Sequence, residues 1–213
     1  MSHARPLKIA LAALLALGIN ACTSAYTGPV EVTRFVAAEP AGLGQGTIAL
    51  SFDESLKNQA AKDAFRGAIS DELALLGYTV IDNAETAGQI ARIDTSRSPL
   101  ASGQQRNPVS VGVGGSTGSY GSGLGVGVGF NLGGTSQSPR VLSQLSIAIS
   151  ANDPETPREN LWEARAQFPT SVDSPYAAVE DNARALAAAV FKDFPGGNGD
   201  TISLDVTDLV EKP

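Results

Sequence analysis

The clearest strand signal in the chain is the stretch Leu161-Trp162-Glu163-Ala164-Arg165-Ala166-Gln167-Phe168. Apolar and polar side chains alternate along it, which is the pattern of a strand buried on one face. The apolar face holds Trp162, Ala164, Ala166 and Phe168, and the polar face holds Glu163, Arg165 and Gln167. We therefore expect this stretch to lie in a sheet with one covered face.

The segments on either side extend this pattern. Before it, Val141–Ser150 alternates in the same way, with Val141, Leu145, Ile147 and Ile149 facing a core. After it, Ser174-Pro175 provides an N-cap and a first-turn proline. The spacing predicts a helix from there to about Phe194, with an apolar stripe of Tyr176, Val179, Ala183, Leu186, Val190 and Phe194.

The first half of the chain repeats the order of strand and helix. Gly46–Phe52 alternates as a strand, and Asp53-Glu54-Ser55 offers capping and first-turn acids to a helix that continues to about Leu76. Gly77 stands where a helix-ending glycine belongs. Further strands are predicted over residues 78–82 and 87–95.

A glycine-rich insert occupies residues 108–134, where 11 of the 27 residues are glycine. It lacks the Lys-Ser/Thr pair of a phosphate-binding loop and is not followed by a helix signal. Its alternating valines, without any charge, are typical of an unprotected sheet edge that pairs with another chain or enters a membrane. A loosely ordered loop is the simpler interpretation, and both stay open.

These elements predict an α+β fold with two layers, a mostly antiparallel sheet, two long helices on one face and a glycine-rich hairpin or loop. The domain is predicted over residues 46–195, between a flexible tether at 22–45 and an acidic tail at 196–213. In that tail Ile202, Leu204 and Val206 are candidates for one more strand. A tether of that length would reach several tens of ångströms.

The start of the chain predicts export. Arg5 and Lys8 precede an apolar run to Ile19 that is too short to span a membrane. The only cysteine, Cys22, follows Ala21 directly, so Ile19-Asn20-Ala21-Cys22 resembles a bacterial lipobox. We expect residues 1–21 to be a lipoprotein signal peptide, with cleavage between Ala21 and Cys22 and lipidation of Cys22. Thr23 at the next position favours the outer membrane, facing the periplasm.

Composition excludes several classes of function. The net charge is −7, and the leader contains two of the cations, so a nucleic-acid partner is not expected. The only histidine and the only methionine, His3 and Met1, also lie in the leader. A mature chain without histidine and with one acylated cysteine lacks the groups for a Cys/His or Ser-His-Asp enzyme and for histidine-ligated zinc or haem. The sequence therefore predicts no cofactor and no metal.

A resemblance adds to this reading. Gly77-Tyr78 closes the first helix, a loop with Asp153 leads into the Trp162 strand, and the last helix ends in Phe194-Pro195. Over residues 46–195 this resembles the bacterial lipoprotein family named domain of unknown function 4136. Ala164 stands where that family often has glycine, and Gly88 stands near an expected Asp. The resemblance implies a lipid-anchored envelope protein and no established reaction.

Three further candidates each have a functional and a purely structural interpretation. Residues 196–200 are similar to one Ca²⁺-binding repeat, but a single copy is more typical of a helix stop and turn. Trp162 can stack on a ligand or lie in the core. Glu163 and Arg165 can form a catalytic pair or a solvated one.

Three functions follow as hypotheses. The first is a non-catalytic envelope protein with a structural or protein-interaction role, including self-association through the glycine-rich insert. The second is a lipid- or glycan-binding envelope module. The third is a hydrolase that uses carboxylates alone.

Overall fold

Seven strands form one sheet in the computed structural model, which describes residues 25–100, 138–153 and 159–210. The strands are β1 (Val30–Val36), β2 (Gly46–Phe52), β3 (Tyr78–Val80), β4 (Gln89–Leu100), β5 (Arg140–Ala151), β6 (Asn160–Ser171) and β7 (Thr201–Leu204). Their order across the sheet is β3-β2-β4-β5-β6-β1-β7. The helices are α1 (Gln59–Leu75) and α2 (Val179–Phe191), with short 3-10 turns at Pro175–Ala177 and Val206–Asp208.

The sheet is mixed, so the prediction of a mostly antiparallel sheet is corrected. β2 pairs in parallel with both β3 and β4, whereas the pairs β4–β5, β5–β6, β6–β1 and β1–β7 are antiparallel. The physical reason is the connection through α1, because a helix after β2 returns the chain to the end of the sheet where β2 began. The strand that follows therefore runs in the same direction.

The predicted core face of β6 is confirmed. Trp162 and Phe168 are fully buried, and Ala164 and Ala166 are nearly so. On β5, Leu145, Ile147 and Ile149 are buried in the same way, while Val141 is only half-buried. Residues of both helices join these strands in one hydrophobic cluster, and α1 packs against α2.

The predicted tether is wrong over Val30–Val36. This stretch is β1, paired with β6 on one side and with β7 on the other. Val30 and Val32 are buried, and so is Arg34, whose guanidinium Nε donates to the carbonyl of Val190 at the end of α2. The domain therefore begins well before Gly46, and the predicted tail contributes β7 as its edge strand.

Both helices start later than predicted. Asp53 accepts a hydrogen bond from the backbone N–H of Ser55, which makes a local turn, and Asn58 caps α1 by accepting from Ala61 at 3.1 Å. Ser174 caps only a 3-10 turn, and α2 starts at Val179. Gly77 has a φ of +101°, which confirms it as the residue that ends α1.

Within residues 25–100, 138–153 and 159–210, no helix is both long enough and apolar enough to cross a bilayer. The glycine-rich insert at 108–134, the predicted signal peptide at 1–21 and the predicted lipidation site Cys22 lie outside the described residues.

Candidate functional site

A polar cleft of 460 Å³ lies on the sheet where β2 ends beside the middle of β4, β5 and β6. The strand register positions its residues in two rows. Arg92, Ala148 and Glu163 are lateral neighbours in one row. Asp94, Ser146 and Arg165 are neighbours in the next. Successive strands are about 4.8 Å apart, so the outer members of a row are about 10 Å apart across a small central residue.

A hydrogen-bonded network orders the first row. The Arg92 guanidinium donates to the Ser150 hydroxyl at 3.1 Å and to the side-chain oxygen of Asn160. The amide of Asn160 donates in turn to Glu163. These side chains come from three strands, so the network holds one guanidinium and one carboxylate at fixed positions on either side of Ala148.

The second row contains two charged side chains that have no partner in the described part of the chain. Asp94 and Arg165 are exposed, and within the described residues neither side chain forms a hydrogen bond or an ion pair. With Asp53 and Glu54 at the rim, the cleft presents both signs of charge together with hydroxyl and amide groups. Such a lining can bind a polar ligand that carries donors, acceptors or both charges.

The pKa shifts do not assign an acid catalyst to this cleft. Hydrogen bonds from Ser55 lower the pKa of Asp53, which is the opposite of what a general acid near neutral pH needs. Among the described residues, the carboxyl whose pKa is raised is that of Glu72 on α1, by burial and then by Asp71. In the described residues no group of three or more side chains could hold a metal ion.

The structure separates the predicted candidates. Glu163 and Arg165 both line the cleft, but Glu163 is bonded to Asn160, so the predicted pair is not formed. Trp162 faces the opposite way, stacks on Phe191 with ring centroids 5.5 Å apart, and donates to the carbonyl of Pro195. Its assignment to the core is confirmed.

Residues 196–200 bend back over β1, where the backbone N–H of Gly199 donates to the carbonyl of Arg34 at 2.8 Å. Gly196 has a φ of +82°, and a Cβ there would lie 2.7 Å from Cδ of Arg34. This segment therefore packs over the buried arginine, directly after the end of α2.

A second cavity, of 790 Å³, lies between residues 25–29 and residues 203–207. Tyr176 lines it, and the buried phenol oxygen of Tyr176 has no hydrogen-bond partner in the described part of the chain. No sequence pattern indicates this cavity, because it depends on β1 and β7 being neighbours in the sheet.

Comparison with known proteins supports the fold only. No protein-family model matches the chain, and no curated protein matches it. A PDZ domain protein from Parabacteroides distasonis is similar in structure, with 15% sequence identity and a TM-score of 0.50. The similarity covers 83% of this chain and 39% of that protein, so the chain spans about two fifths of its length. A PelC dodecamer from Paraburkholderia phytofirmans has 9% identity and a TM-score of 0.40, over 76% of this chain and 94% of that one.

Proposed function

We propose that the chain is a lipid-anchored protein of the bacterial cell envelope, acylated at Cys22 after cleavage behind Ala21. Its proposed place is the outer membrane, facing the periplasm, and its role is structural or protein-binding, without catalysis. The observation that supports this most is the position of the only cysteine, immediately behind a basic start and a short apolar run. That the chain belongs to the family named domain of unknown function 4136 stays a prediction. It also implies a lipid-anchored envelope protein.

Mass spectrometry of the N-terminal peptide and detergent-phase partition test the anchor together. We expect the chain purified from membranes to begin at a modified Cys22 and to enter the detergent phase. Cys22→Ala should stay in the aqueous phase or keep its leader, whereas Thr23→Ala, a neighbouring change that spares the sulfur, should still enter the detergent phase. An N-terminus elsewhere, or an unmodified thiol, would contradict the proposal.

The interaction role rests on an uncovered sheet face. We infer that α1 and α2 cover the same face, because both contribute to the cluster that contains Trp162 and Ile149. The opposite face then remains for a partner, and it presents the cleft with Asp94 and Arg165. A surface with both signs of charge suits a protein partner that is selected by charge complementarity.

Self-association through the glycine-rich insert is the second part of this proposal. Its two flanks, Leu100 and Arg140, are paired at one end of the sheet. Deleting residues 109–132 and measuring the mass by light scattering tests it. We expect the deletion to reduce the number of protomers per particle, while the same number of residues in a Gly/Ser linker should not restore it. An unchanged oligomeric state would remove the idea.

A glycan-binding module is the alternative, and the Arg92–Asn160–Glu163 network favours it over a lipid-binding one. Fixed amide, guanidinium and carboxylate groups suit hydroxyl-rich ligands, whereas acyl chains require apolar walls. Titration of cell-wall fragments into the protein distinguishes the two roles. We expect Glu163→Gln and Arg165→Ala to weaken glycan binding and Arg184→Ala, an exposed arginine on α2, to leave it unchanged.

A further inference from the structure

The chain enters the fold very soon after Cys22. The backbone N–H of Tyr26 donates to the Ser171 hydroxyl at 3.0 Å, and the Tyr26 carbonyl accepts from the Ser171 backbone at 2.8 Å. Thr27 pairs with Thr170, and its hydroxyl is 2.7 Å from that of Ser174. Residues 26 and 27 are thus held against the end of β6 by backbone and hydroxyl contacts.

The distance available to an anchor is correspondingly short. Ala25 is the third residue after Cys22, and Tyr26 is the fourth. A fully extended chain covers at most about 3.6 Å per residue, so Tyr26 lies within about 14 Å of the Cα of Cys22. A bilayer interface with its headgroups is itself several ångströms deep, so this leaves no room for a free tether.

The end of the sheet beside Tyr26 has the character of a surface that meets lipid headgroups. We define the docking end as Tyr26, Pro139, Arg140 and Val172. Arg140 lies over the Tyr26 ring, with its guanidinium carbon 4.0 Å from the ring centroid. Val172 is 48% exposed although it is apolar, and its backbone is bonded to the carbonyl of Pro139. Aromatic and arginine side chains are common at membrane interfaces because they combine an apolar body with a polar edge.

From the short chain between Cys22 and Tyr26, and from the residues of the docking end, we propose that this end lies on the membrane surface. The short chain that joins it to the lipid on Cys22 holds it there. The inference rests on the proposed acylation of Cys22. It assigns the partner of this surface, a phospholipid headgroup layer, and it fixes which end of the strands points towards the membrane.

Acylation leaves no free thiol on Cys22, so an introduced cysteine is a unique site for a fluorescent label. The acylated full chain carrying Val172→Cys is labelled and added to phosphatidylethanolamine vesicles that contain a fraction of nitroxide-headgroup lipid. We expect these lipids to quench most of the fluorescence at residue 172. The matched control is Leu75→Cys, because Leu75 is 83% exposed and ends α1 at the opposite end of the sheet, and we expect no quenching there.

A linker variant tests the reach itself. Twenty Gly/Ser residues inserted between Cys22 and Ala25 add roughly 25 Å of average span. We expect this insertion to reduce quenching at residue 172 to the level at residue 75. Equal quenching at both residues without the insertion, or unchanged quenching with it, would overturn the proposal.

The anchor and the orientation fail in different ways. Vesicle flotation measures the anchor independently of the label, so a chain that floats but is not quenched at residue 172 retains the lipid and loses only the proposed orientation. A chain that does not float, with a reactive thiol at Cys22, refutes the acylation and the orientation together.

Discussion

Replacement of Arg34 by methionine should destabilise the fold through the end of α2. The last four carbonyls of a helix have no partner within it. Here Ala188 accepts from the backbone of Lys192, and Phe191 accepts from that of Phe194. Arg34 satisfies the remaining two, donating from Nη2 to Ala189 at 2.7 Å and from Nε to Val190 at 2.9 Å. Methionine fills part of the volume but donates nothing.

The magnitude follows from those two carbonyls. A buried acceptor that loses its donor costs about 1–3 kcal/mol, so two of them cost about 2–6 kcal/mol. Part of this is offset, because Arg34 is only 4% exposed and its charge is costly to bury. That cost is visible as a lowering of the pKa of the Arg34 guanidinium by burial, which Asp193 partly opposes. We expect a net loss of about 3 kcal/mol, which is a large share of the stability of an ordinary domain.

Urea unfolding of the leader-free chain, followed by circular dichroism, measures this loss. The matched control is Arg165→Met, the same chemical change at an exposed position one strand away, for which we expect a change within about 0.5 kcal/mol. Amide hydrogen exchange should also speed up in the last turn of α2 in Arg34→Met. Equal stability of the two variants would refute the reasoning, because it would mean that water or a backbone shift satisfies the carbonyls at no cost.

Four more substitutions test the core, the electrostatics and the backbone, each by urea unfolding. Trp162→Ala should cost about 3–5 kcal/mol as a core truncation, and intact stability would contradict its burial. Burial, and then Asp71, raises the pKa of Glu72. The stability that Glu72 contributes is therefore complete at low pH and is lost as the pH rises through this raised pKa. Glu72→Gln should be more stable than the parent at neutral pH and equally stable in acid. Gly77→Ala should cost about 1–2 kcal/mol because φ is +101°, whereas Gly67→Ala within α1, with nothing within 4 Å of the added Cβ, should stabilise by about 0.5–1 kcal/mol.

Strands with uninterrupted alternation were predictable from the sequence. β2 has the predicted bounds, Gly46–Phe52, and the buried face of β6 is the predicted one. In both, every second residue is apolar or small and none of the residues on the core side is charged. Burial then follows from the pattern alone, since a strand turns successive side chains to opposite faces.

β1 was missed because two of its residues break that pattern. Arg34 lies on the core side and is buried, and Phe35 lies on the other side and is 48% exposed. The alternation of Val30, Val32 and Val36 is the signal that was present. Arginine is tolerated in the core because it donates hydrogen bonds to carbonyls at the end of α2, which is more than 150 residues away in the chain. A local sequence pattern cannot predict so distant a hydrogen-bond partner.

The cleft was predictable only in part. Glu163 and Arg165 were identified as a polar face, but the hydrogen bond that Asn160 makes to Glu163 is ordered by Arg92, which lies on β4, 68 residues before Asn160 in the sequence. Which residues become lateral neighbours depends on strand order and register, and a shift of one residue would turn every side chain to the other face. The network is therefore a property of the paired strands and not of any one of them.

The position of β1 also changes what a partner must do. A tether over residues 22–45 would have let the domain move several tens of ångströms from the membrane, whereas the fold begins within a few residues of Cys22. Along β6, Arg165 is six residues from Ser171 and Glu163 is eight, which at about 3.3 Å per residue puts the cleft roughly 20–26 Å above the docking end. With the docking end on the membrane, as proposed, a ligand or protein that uses the cleft must reach this close to the lipid surface. Partners embedded in the same membrane, or polymers attached to it, meet that condition, and freely diffusing ones gain nothing from the anchor.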